Sequence, residues 1–191
     1  FGDVYLTGMV RDKQNRKMSK SLGNSPDPIG LIDKYGADGV RVGMLLCSPA
    51  GNDLLYDDSL PEQGRNFANK IWNAFRLVIS MNPDDSVEQP AASEAAVIWM
   101  RNTIDKTLAD IEDSFVRYRI SDALMQAYKL FWDDFSGWFL EIIKPAFGKP
   151  VDGVTYHETI AIFGDLMKIL HPFMPFITEE IWQSLAVRPE G

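Results

Sequence analysis

The chain has 191 residues, an apolar fraction of 46% that is sufficient for a packed core, and a formal net charge of −8. This acidic balance excludes a general nucleic-acid binder that is held by charge alone. Since no apolar run is long enough, we expect neither a membrane span nor a signal peptide, and the single cysteine, Cys47, excludes an internal disulfide and a thiolate zinc site.

The charge is unevenly distributed along the chain. Residues 1–25 hold five Lys/Arg and two Asp/Glu, whereas residues 83–191 hold nine and eighteen, which gives local net charges of +3 and −9. Any contact with RNA must therefore use a local basic face, because the remainder of the surface repels phosphate.

The first predicted element is a strand over residues 4–10, a segment rich in β-branched and aromatic side chains. A polar turn over residues 11–16 leads from it into the cationic segment Lys17-Met18-Ser19-Lys20-Ser21. Ammonium groups suit phosphate oxygens, and serine hydroxyls add hydrogen bonds. We therefore interpret residues 17–21 as a mobile phosphate clamp at the carboxyl edge of an α/β sheet. A solvated basic turn is the alternative that a lone Lys-x-x-Lys pair leaves open.

Two short helices are predicted after this loop. Asp27 is placed to cap the first helix, with Pro28 at its first position and Gly36 at its end. The second helix covers residues 37–46, and the Ser-Pro-Ala-Gly-Asn-Asp run at residues 48–53 breaks it.

From about Ser59 the pattern becomes helical for the rest of the chain, and the first helix, residues 59–82, has two distinct sides. Its apolar side consists of Phe67, Ile71, Ala74, Phe75 and Val78. Its polar side consists of Arg65, Asn66, Asn69, Lys70, Asn73 and Arg76. Cations meet phosphates and asparagine amides read the edges of unstacked bases, so the polar side is the candidate RNA surface. A merely solvated helix face is the alternative.

Four further helices follow a predicted loop over residues 81–93, and together they indicate an antiparallel bundle. The apolar face predicted for the first of them consists of Met100, Ile104, Leu108, Ile111 and Phe115. Ser121 is expected to cap the second, and Thr155 with Glu158 forms a capping box for the third. The last helix runs through Ile181 and Leu185.

Most aromatic residues of these helices have the spacing of a core, and we expect core packing instead of base stacking. They are Trp99, Phe115, Tyr128, Phe131, Trp132, Phe135, Trp138 and Phe139. The two histidines, His157 and His171, have no partner set for metal ligation, so we interpret both as structural and expect no metal site.

The string Lys17–Ser21 resembles the second signature of the class I aminoacyl-tRNA synthetases. Its extension through Leu22-Gly23-Asn24 to Lys34–Asp38 and Arg41 is similar to the valyl, isoleucyl and leucyl subgroup, in which His171–Trp182 also recurs. The stretch Arg65–Asn73 is most similar to the valyl members. The resemblance implies a mainly α fold: a helical anticodon-binding bundle, residues 59–191, preceded by a short α/β remnant of a Rossmann-type catalytic domain, residues 1–58.

The same resemblance implies a role in the ATP-dependent attachment of valine to tRNA(Val). Lys17 and Lys20 would be catalytic, and Lys17, Met18, Ser19, Lys20 and Ser21 would form the ATP-binding loop, with Met18 packed beneath it. Mg²⁺ would be carried by the nucleotide. ATP, valine and tRNA(Val) would be the partners of a monomeric, cytoplasmic full-length enzyme.

The family's first signature, a His-Ile-Gly-His-like element that also binds ATP, is absent from the sequence. We therefore expect the isolated chain to be inactive. Two alternatives remain open: a fragment of an isoleucyl enzyme, and a non-catalytic synthetase-like helical module that binds RNA or protein.

Overall fold

The computed structural model describes residues 2–48 and 51–185, which are mainly helical. The helices are α1 (Pro28–Tyr35), α2 (Ala37–Leu46), α3 (Ser59–Ile79), α4 (Ala91–Val116), α5 (Ile120–Lys129), α6 (Leu140–Ile143), α7 (Gly153–Leu170) and α8 (Pro175–Leu185), with a π-helical segment (Leu130–Phe139) between α5 and α6. The strands are β1 (Val10–Arg11), β2 (Leu54–Leu55), β3 (Pro83–Asp84) and β4 (Val151–Asp152). The predicted fold class, a helical bundle preceded by a short α/β part, is confirmed; the division at residue 58 stays a prediction.

The predicted strand over residues 4–10 is wrong in extent. Only Val10 and Arg11 form β1, which pairs in parallel with β2 through the partners Val10–Leu54 and Arg11–Leu55. A strand needs a neighbour for its backbone groups, and β2 offers two residues. Val4 and Leu6 lie beyond this pairing and are 76% and 79% exposed.

Helices α1 and α2 have the predicted bounds. The Asp27 carboxylate accepts hydrogen bonds from Ile29 N (3.4 Å) and Gly30 N (3.0 Å), which satisfies amides of the first turn of α1. Gly36 ends α1 at a φ of 77°, a left-handed conformation that glycine adopts without a steric penalty. Local capping chemistry therefore fixes both helices.

Helices α2 and α3 cross at very close range because glycines face each other at the contact. A Cβ atom on Gly43 would lie 2.1 Å from Leu60 O, and a Cβ atom on Gly64 would lie 2.0 Å from Gly39 O. Helix α3 follows the predicted pattern and buries Phe67, Ile71, Ala74, Phe75 and Val78. The crossing attaches the loop-bearing part of the chain directly to the bundle.

Two predicted helix caps are wrong. Ser121 does not cap α5; its Oγ lies 2.8 Å from Leu45 O and 2.6 Å from Ser48 O, so it ties α5 to the end of α2. Helix α7 starts before the predicted capping box, because the Asp152 carboxylate accepts from Thr155 N at 2.7 Å. The predicted loop over residues 81–93 also contains β3, which pairs with β4, and the first residues of α4.

The core of the bundle is built from aromatic rings that pack against one another. Phe163 meets Phe131 and Phe135 edge to face, with ring centroids 5.9 Å and 5.3 Å apart. Five phenylalanine side chains are fully buried: Phe67, Phe131, Phe135, Phe139 and Phe163. No helix in the described residues combines the length and apolar character that a membrane crossing requires.

The core prediction fails at several edge positions. Trp99, Phe115 and Trp138 are 37%, 41% and 65% exposed, and Leu108 is 42% exposed, so the predicted apolar face of α4 is only partly covered. Tyr128 and Trp132 are half-buried. The π-helical segment has a wider turn than an α-helix, which places Phe131, Phe135 and Phe139 inside and turns Trp138 outward.

Candidate functional site

The cationic loop leaves the end of β1 as a tight turn and returns beside it. Met18 N donates to Val10 O (3.0 Å), and Asp12 N donates to Arg16 O (2.9 Å). Asn15 turns the chain with a φ of 61°, a left-handed conformation that asparagine tolerates better than most residues. The start of the loop is therefore held to the short sheet by backbone hydrogen bonds.

Asp12 lies where the two ends of the loop, residues 12–16 and Asn24, meet, and we call this place the neck of the loop. Asp12 is a buried hydrogen-bond acceptor, with 9% of its surface exposed. One carboxylate oxygen accepts from Gln14 N (3.0 Å) and Arg16 N (2.9 Å). The other accepts from Asn24 Nδ2 (2.9 Å) and Arg16 Nε (2.8 Å). The Asn24 amide, followed by the Arg16 guanidinium, holds the pKa of this carboxyl well below its usual range, because both stabilise the charged form.

Asn24 closes the loop from the other end. Its Oδ1 accepts from Ser19 N (2.9 Å), while its Nδ2 donates to the Asp12 carboxylate and to Lys17 O (3.2 Å). Within the loop, Ser19 Oγ accepts from Leu22 N (3.3 Å) and lies 3.1 Å from Ser21 Oγ. The serine hydroxyls therefore shape the loop, and the network fixes the backbone between Lys17 and Asn24.

The two lysines of the loop are exposed, and Lys17 also lines the groove beneath it. Among the described residues, neither Lys17 nor Lys20 has a carboxylate within ion-pair distance, whereas neighbouring Lys13 pairs with Asp57 at 2.7 Å. Two uncompensated ammonium groups on a braced loop form a site for an anion with several oxygen atoms, such as a polyphosphate.

Met18 is half-buried and lines a groove of about 440 Å³ under the loop. The opposite wall is formed by Leu31 and Ile32 of α1 and by Val40 and Met44 of α2. The predicted packing of Met18 beneath the loop agrees with this position. The loop, α1 and α2 therefore line one open, largely apolar groove.

The predicted RNA surface lies on α3, on the side that faces away from the core. Arg65, Asn66, Asn69, Asn73 and Arg76 are exposed, and Lys70 is half-buried. Two of its cations have internal contacts that the sequence did not indicate. Arg65 Nη1 donates to Lys34 O (3.2 Å), and the Lys70 ammonium lies 5.2 Å from the ring centroid of Trp132. Among the described residues, Arg76 is the cation of this face for which no such internal side-chain contact is seen.

A second candidate feature lies near the C-terminal end of α3. It is the segment of residues 144–150, which we call the Phe147 loop. Phe147 is fully exposed at 107% of its reference area, and Lys144 and Lys149 lie on either side of it in the loop. A groove of about 490 Å³ between this loop and Asn82 separates it from the end of α3. Lys144 pairs with Glu141 at 3.5 Å, which partly neutralises its charge. The exposed ring of Phe147, close in sequence to Lys149, is suited to stacking an unpaired base. The sequence indicated only a helix break here.

The histidines have surroundings that fit the structural interpretation. His171 Nδ1 lies 2.8 Å from Thr178 Oγ1 across the turn between α7 and α8, and the exposed His157 packs its ring edge against Tyr156. Within the described residues, no group of three or more His, Cys, Asp or Glu side chains is placed to hold a metal ion.

Two family models match separate parts of the chain. Residues 1–57 match the family model of class I tRNA synthetases (I, L, M and V), and residues 98–190 match the anticodon-binding domain of tRNA ligases. The polar face of α3 lies between the two matches.

Among curated proteins, the chain is 60% identical over 191 residues to the valine–tRNA ligase of Parabacteroides distasonis and 61% identical to that of Phocaeicola vulgatus, in each case covering 100% of this chain and 22% of the relative. It is 41% identical over 197 residues to the valine–tRNA ligase of Symbiobacterium thermophilum, covering 98% of this chain and 21% of that relative. The chain thus spans about a fifth of the length of these relatives.

Solved structures share the fold at lower identity. The LeuRS–tRNA–LeuAMS ternary complex of Agrobacterium radiobacter superposes with a TM-score of 0.69 at 21% identity, covering 96% of this chain and 22% of that one. Methionyl-tRNA synthetase of Mycobacterium tuberculosis bound by methionyl-adenylate gives 0.64 at 23% identity, covering 92% and 36%.

Proposed function

The chain belongs to the class I aminoacyl-tRNA synthetases, and from this premise we propose that it is the part of a valine–tRNA ligase that carries the ATP-contacting loop and the anticodon-binding bundle. The full-length enzyme would attach valine to a valine tRNA at the expense of ATP. The observation that carries the proposal is that Lys17 and Lys20, on a loop braced by Asp12 and Asn24, have no carboxylate within ion-pair distance among the described residues.

In this proposal the loop supplies positive charge to the triphosphate of ATP while the carboxylate of valine attacks the α-phosphate. The bond between the α-phosphorus and the bridging oxygen breaks, and pyrophosphate leaves. Such chemistry depends on positioning and on stabilisation of charge at the phosphates. Lys20 contacts the phosphates in the transition state, and Lys17 adds a supporting field. Ser19 and Ser21 keep the loop in shape through their mutual contact, and Mg²⁺ arrives with the nucleotide.

The RNA would be bound by the polar face of α3 together with the Phe147 loop. Arg76 contributes a free cation, and Phe147 contributes an aromatic surface for an unstacked base of the anticodon loop. Since residues 83–191 carry a net charge of −9, attraction to a phosphate backbone requires local cations, and Arg76 and the lysines of the Phe147 loop supply such charge beside the exposed ring.

The proposal is tested by the amino-acid and tRNA preference of the purified full-length enzyme. It is expected to attach valine to a valine tRNA transcript. It is not expected to attach isoleucine to an isoleucine tRNA transcript. Efficient isoleucine charging with no valine charging would instead favour the isoleucyl enzyme, and RNA binding without valine-dependent ATP–pyrophosphate exchange would favour a non-catalytic module. Cytoplasmic location and a monomeric state stay predictions.

A further inference from the structure

The first turn of α8 is capped by a residue far away in the sequence. The Asp38 carboxylate on α2 accepts hydrogen bonds from Ile177 N (2.7 Å) and Phe176 N (3.4 Å). First-turn amides have no acceptor within their own helix, and a carboxylate also suits the positive end of the helix dipole. Asp38 is 6% exposed, so this cap is buried.

Arg41, one turn further along α2, holds the turn that precedes α8. We call residues 171–174, between α7 and α8, the elbow. Arg41 Nε donates to Phe173 O (3.2 Å), and its Nη2 donates to Pro172 O (3.2 Å). The planar guanidinium fork suits two neighbouring acceptors in a way that a single ammonium does not. Asp38 and Arg41 therefore hold backbone groups on both sides of the start of α8, an arrangement that we call the α2–elbow joint.

The elbow is itself a rigid piece of the bundle. The Phe173 ring stacks on Phe115 at the end of α4, with centroids 5.9 Å apart and planes inclined by 10°. The Thr178 hydroxyl donates to Met174 O (2.7 Å) and so accepts from His171 Nδ1 (2.8 Å). A movement of the elbow against α2 would therefore move α7, α8 and the end of α4 together.

On its other side the joint is close in sequence to the phosphate loop. Asn24, which closes the loop, is three residues before the α1 cap Asp27, and α2 begins directly after Gly36 at the end of α1. The glycine crossing holds α2 against α3. Helix α2 thus has the loop-bearing part on one side and the bundle on the other.

We propose that Asp38 and Arg41 are positioning residues for the transfer of the amino acid to tRNA, because they fix the orientation of the bundle relative to the phosphate loop. This inference rests on the proposed function. Activation of the amino acid requires the loop and no tRNA, whereas transfer also requires that the RNA held by the bundle presents its end to the loop-bearing part. A loosened joint should therefore slow transfer and leave activation intact.

The test compares two rates in the full-length enzyme: tRNA-independent ATP–pyrophosphate exchange and single-turnover transfer. Asp38→Ala and Arg41→Ala are each expected to lower the transfer rate by about 10-fold to 10²-fold, the size of effect that a misplacement of about 1 Å produces. The KM for tRNA and the exchange rate should stay at the wild-type values. Because both residues act on one elbow, the double variant should lose less than the product of the single losses.

Conservative and distant variants separate positioning from general damage. Asp38→Asn keeps an oxygen acceptor for Ile177 N, and Arg41→Lys keeps the charge, so both should recover part of the transfer rate. Asp33→Ala and Lys106→Ala remove exposed charges from α1 and α4 and should match wild type. If Asp38→Ala does not fold, the Asp38→Asn comparison takes its place.

Two results would overturn the inference: equal losses of exchange and transfer, which indicate a purely structural role, or unchanged transfer in folded variants. Both rates are measured with whichever amino acid and tRNA the wild-type enzyme accepts. A wild-type enzyme that charges isoleucine would therefore contradict the proposed function, while the ratio of exchange to transfer in the variants would still test the joint.

Discussion

Asn24 joins three parts of the phosphate loop through one amide group: Ser19 N, the Asp12 carboxylate and Lys17 O. Only the amide side chains of asparagine and glutamine can donate two hydrogen bonds and also accept at the same position. The side chain of glutamine is one methylene longer. The orientation of the two lysines therefore depends on a residue that carries no charge itself.

Replacement of Asn24 by alanine should release the neck of the loop. We expect Asn24→Ala to slow valine-dependent ATP–pyrophosphate exchange by about tenfold or more, because the loop then spends less time in the productive arrangement. Gln14→Ala is the matched control, since only the backbone amide of Gln14 contacts Asp12. Equal exchange rates for Asn24→Ala and wild type would contradict this role.

The Asp12 carboxyl makes the neck sensitive to acid in a defined direction. Its pKa is lowered from an ordinary value of 3.8, so its charged form stabilises the folded loop above that pH. This contribution is lost only as the pH falls through the lower, folded-state pKa. We expect an NMR titration of the folded chain within the full-length enzyme to show Asp12 still ionised at pH 3.8. Half-protonation near pH 3.8 would contradict the hydrogen-bond network.

At the scale of elements, the crossing of α2 and α3 tolerates little change. Gly43 lies against the backbone of Leu60, which cannot rotate away as a side chain can. Overpacking of such contacts costs about 1–3 kcal/mol. The close approach explains why glycine occupies a helix interior, where it is otherwise unfavourable.

Gly43→Ala should therefore lower the free energy of unfolding by about 1–3 kcal/mol, measured by chemical denaturation. Gly137→Ala is the matched control, because a Cβ atom there meets only Trp132 O at an ordinary 3.4 Å. It should be neutral or stabilising by about 0.5–1 kcal/mol, since alanine suits a helix better than glycine. A Gly43→Ala variant as stable as wild type would show that the helices separate at little cost.

The elements themselves were predictable to different degrees. Helix α3 follows from its 3.6-residue pattern, and α1 follows from Asp27, Pro28 and Gly36, because these signals are local. The strand over residues 4–10 was overestimated, since its extent depends on a partner strand distant in sequence. The cap of α5 was misplaced because Ser121 hydrogen-bonds to the end of α2, a tertiary contact that no local pattern contains. The start of α7 was misplaced because Asp152, and not Thr155, caps its first turn.

At the scale of the whole molecule, the cationic loop and the polar face of α3 belong to different parts of the fold, for which we have proposed an ATP-binding and an RNA-binding role. The exposure of Lys17 and Lys20 and of the polar face of α3 could be predicted from the sequence, because a signature motif and a helical period mark them, whereas their roles stay predictions. The network of Asp12 and Asn24 and the exposure of Phe147 could not, since turn geometry and loop placement decide them. The contacts of Arg65 and Lys70 could not be predicted either, because they depend on how the helices pack together.

Arg76 provides the test of the RNA-facing side, because Arg65→Ala would also break the hydrogen bond to Lys34 O. Arg76→Ala in the full-length enzyme should weaken tRNA binding and flatten its salt dependence by about one counterion. Lys106→Ala removes the same charge from an exposed position of α4 and is the control. Footprinting that placed the anticodon loop against residues 123–143 would contradict this assignment.

The role of the phosphate loop in catalysis is decided by the rate of tRNA-independent ATP–pyrophosphate exchange in the Lys20→Ala enzyme. Loss of one preorganised charge contact to a transition state should lower that rate by about 10²–10³-fold, with little change in valine affinity. Lys13→Ala is the matched control, because its ammonium is already paired with Asp57 and should be dispensable. Exchange in Lys20→Ala within about threefold of wild type, well short of that loss, would contradict the proposal that this loop contacts ATP during catalysis.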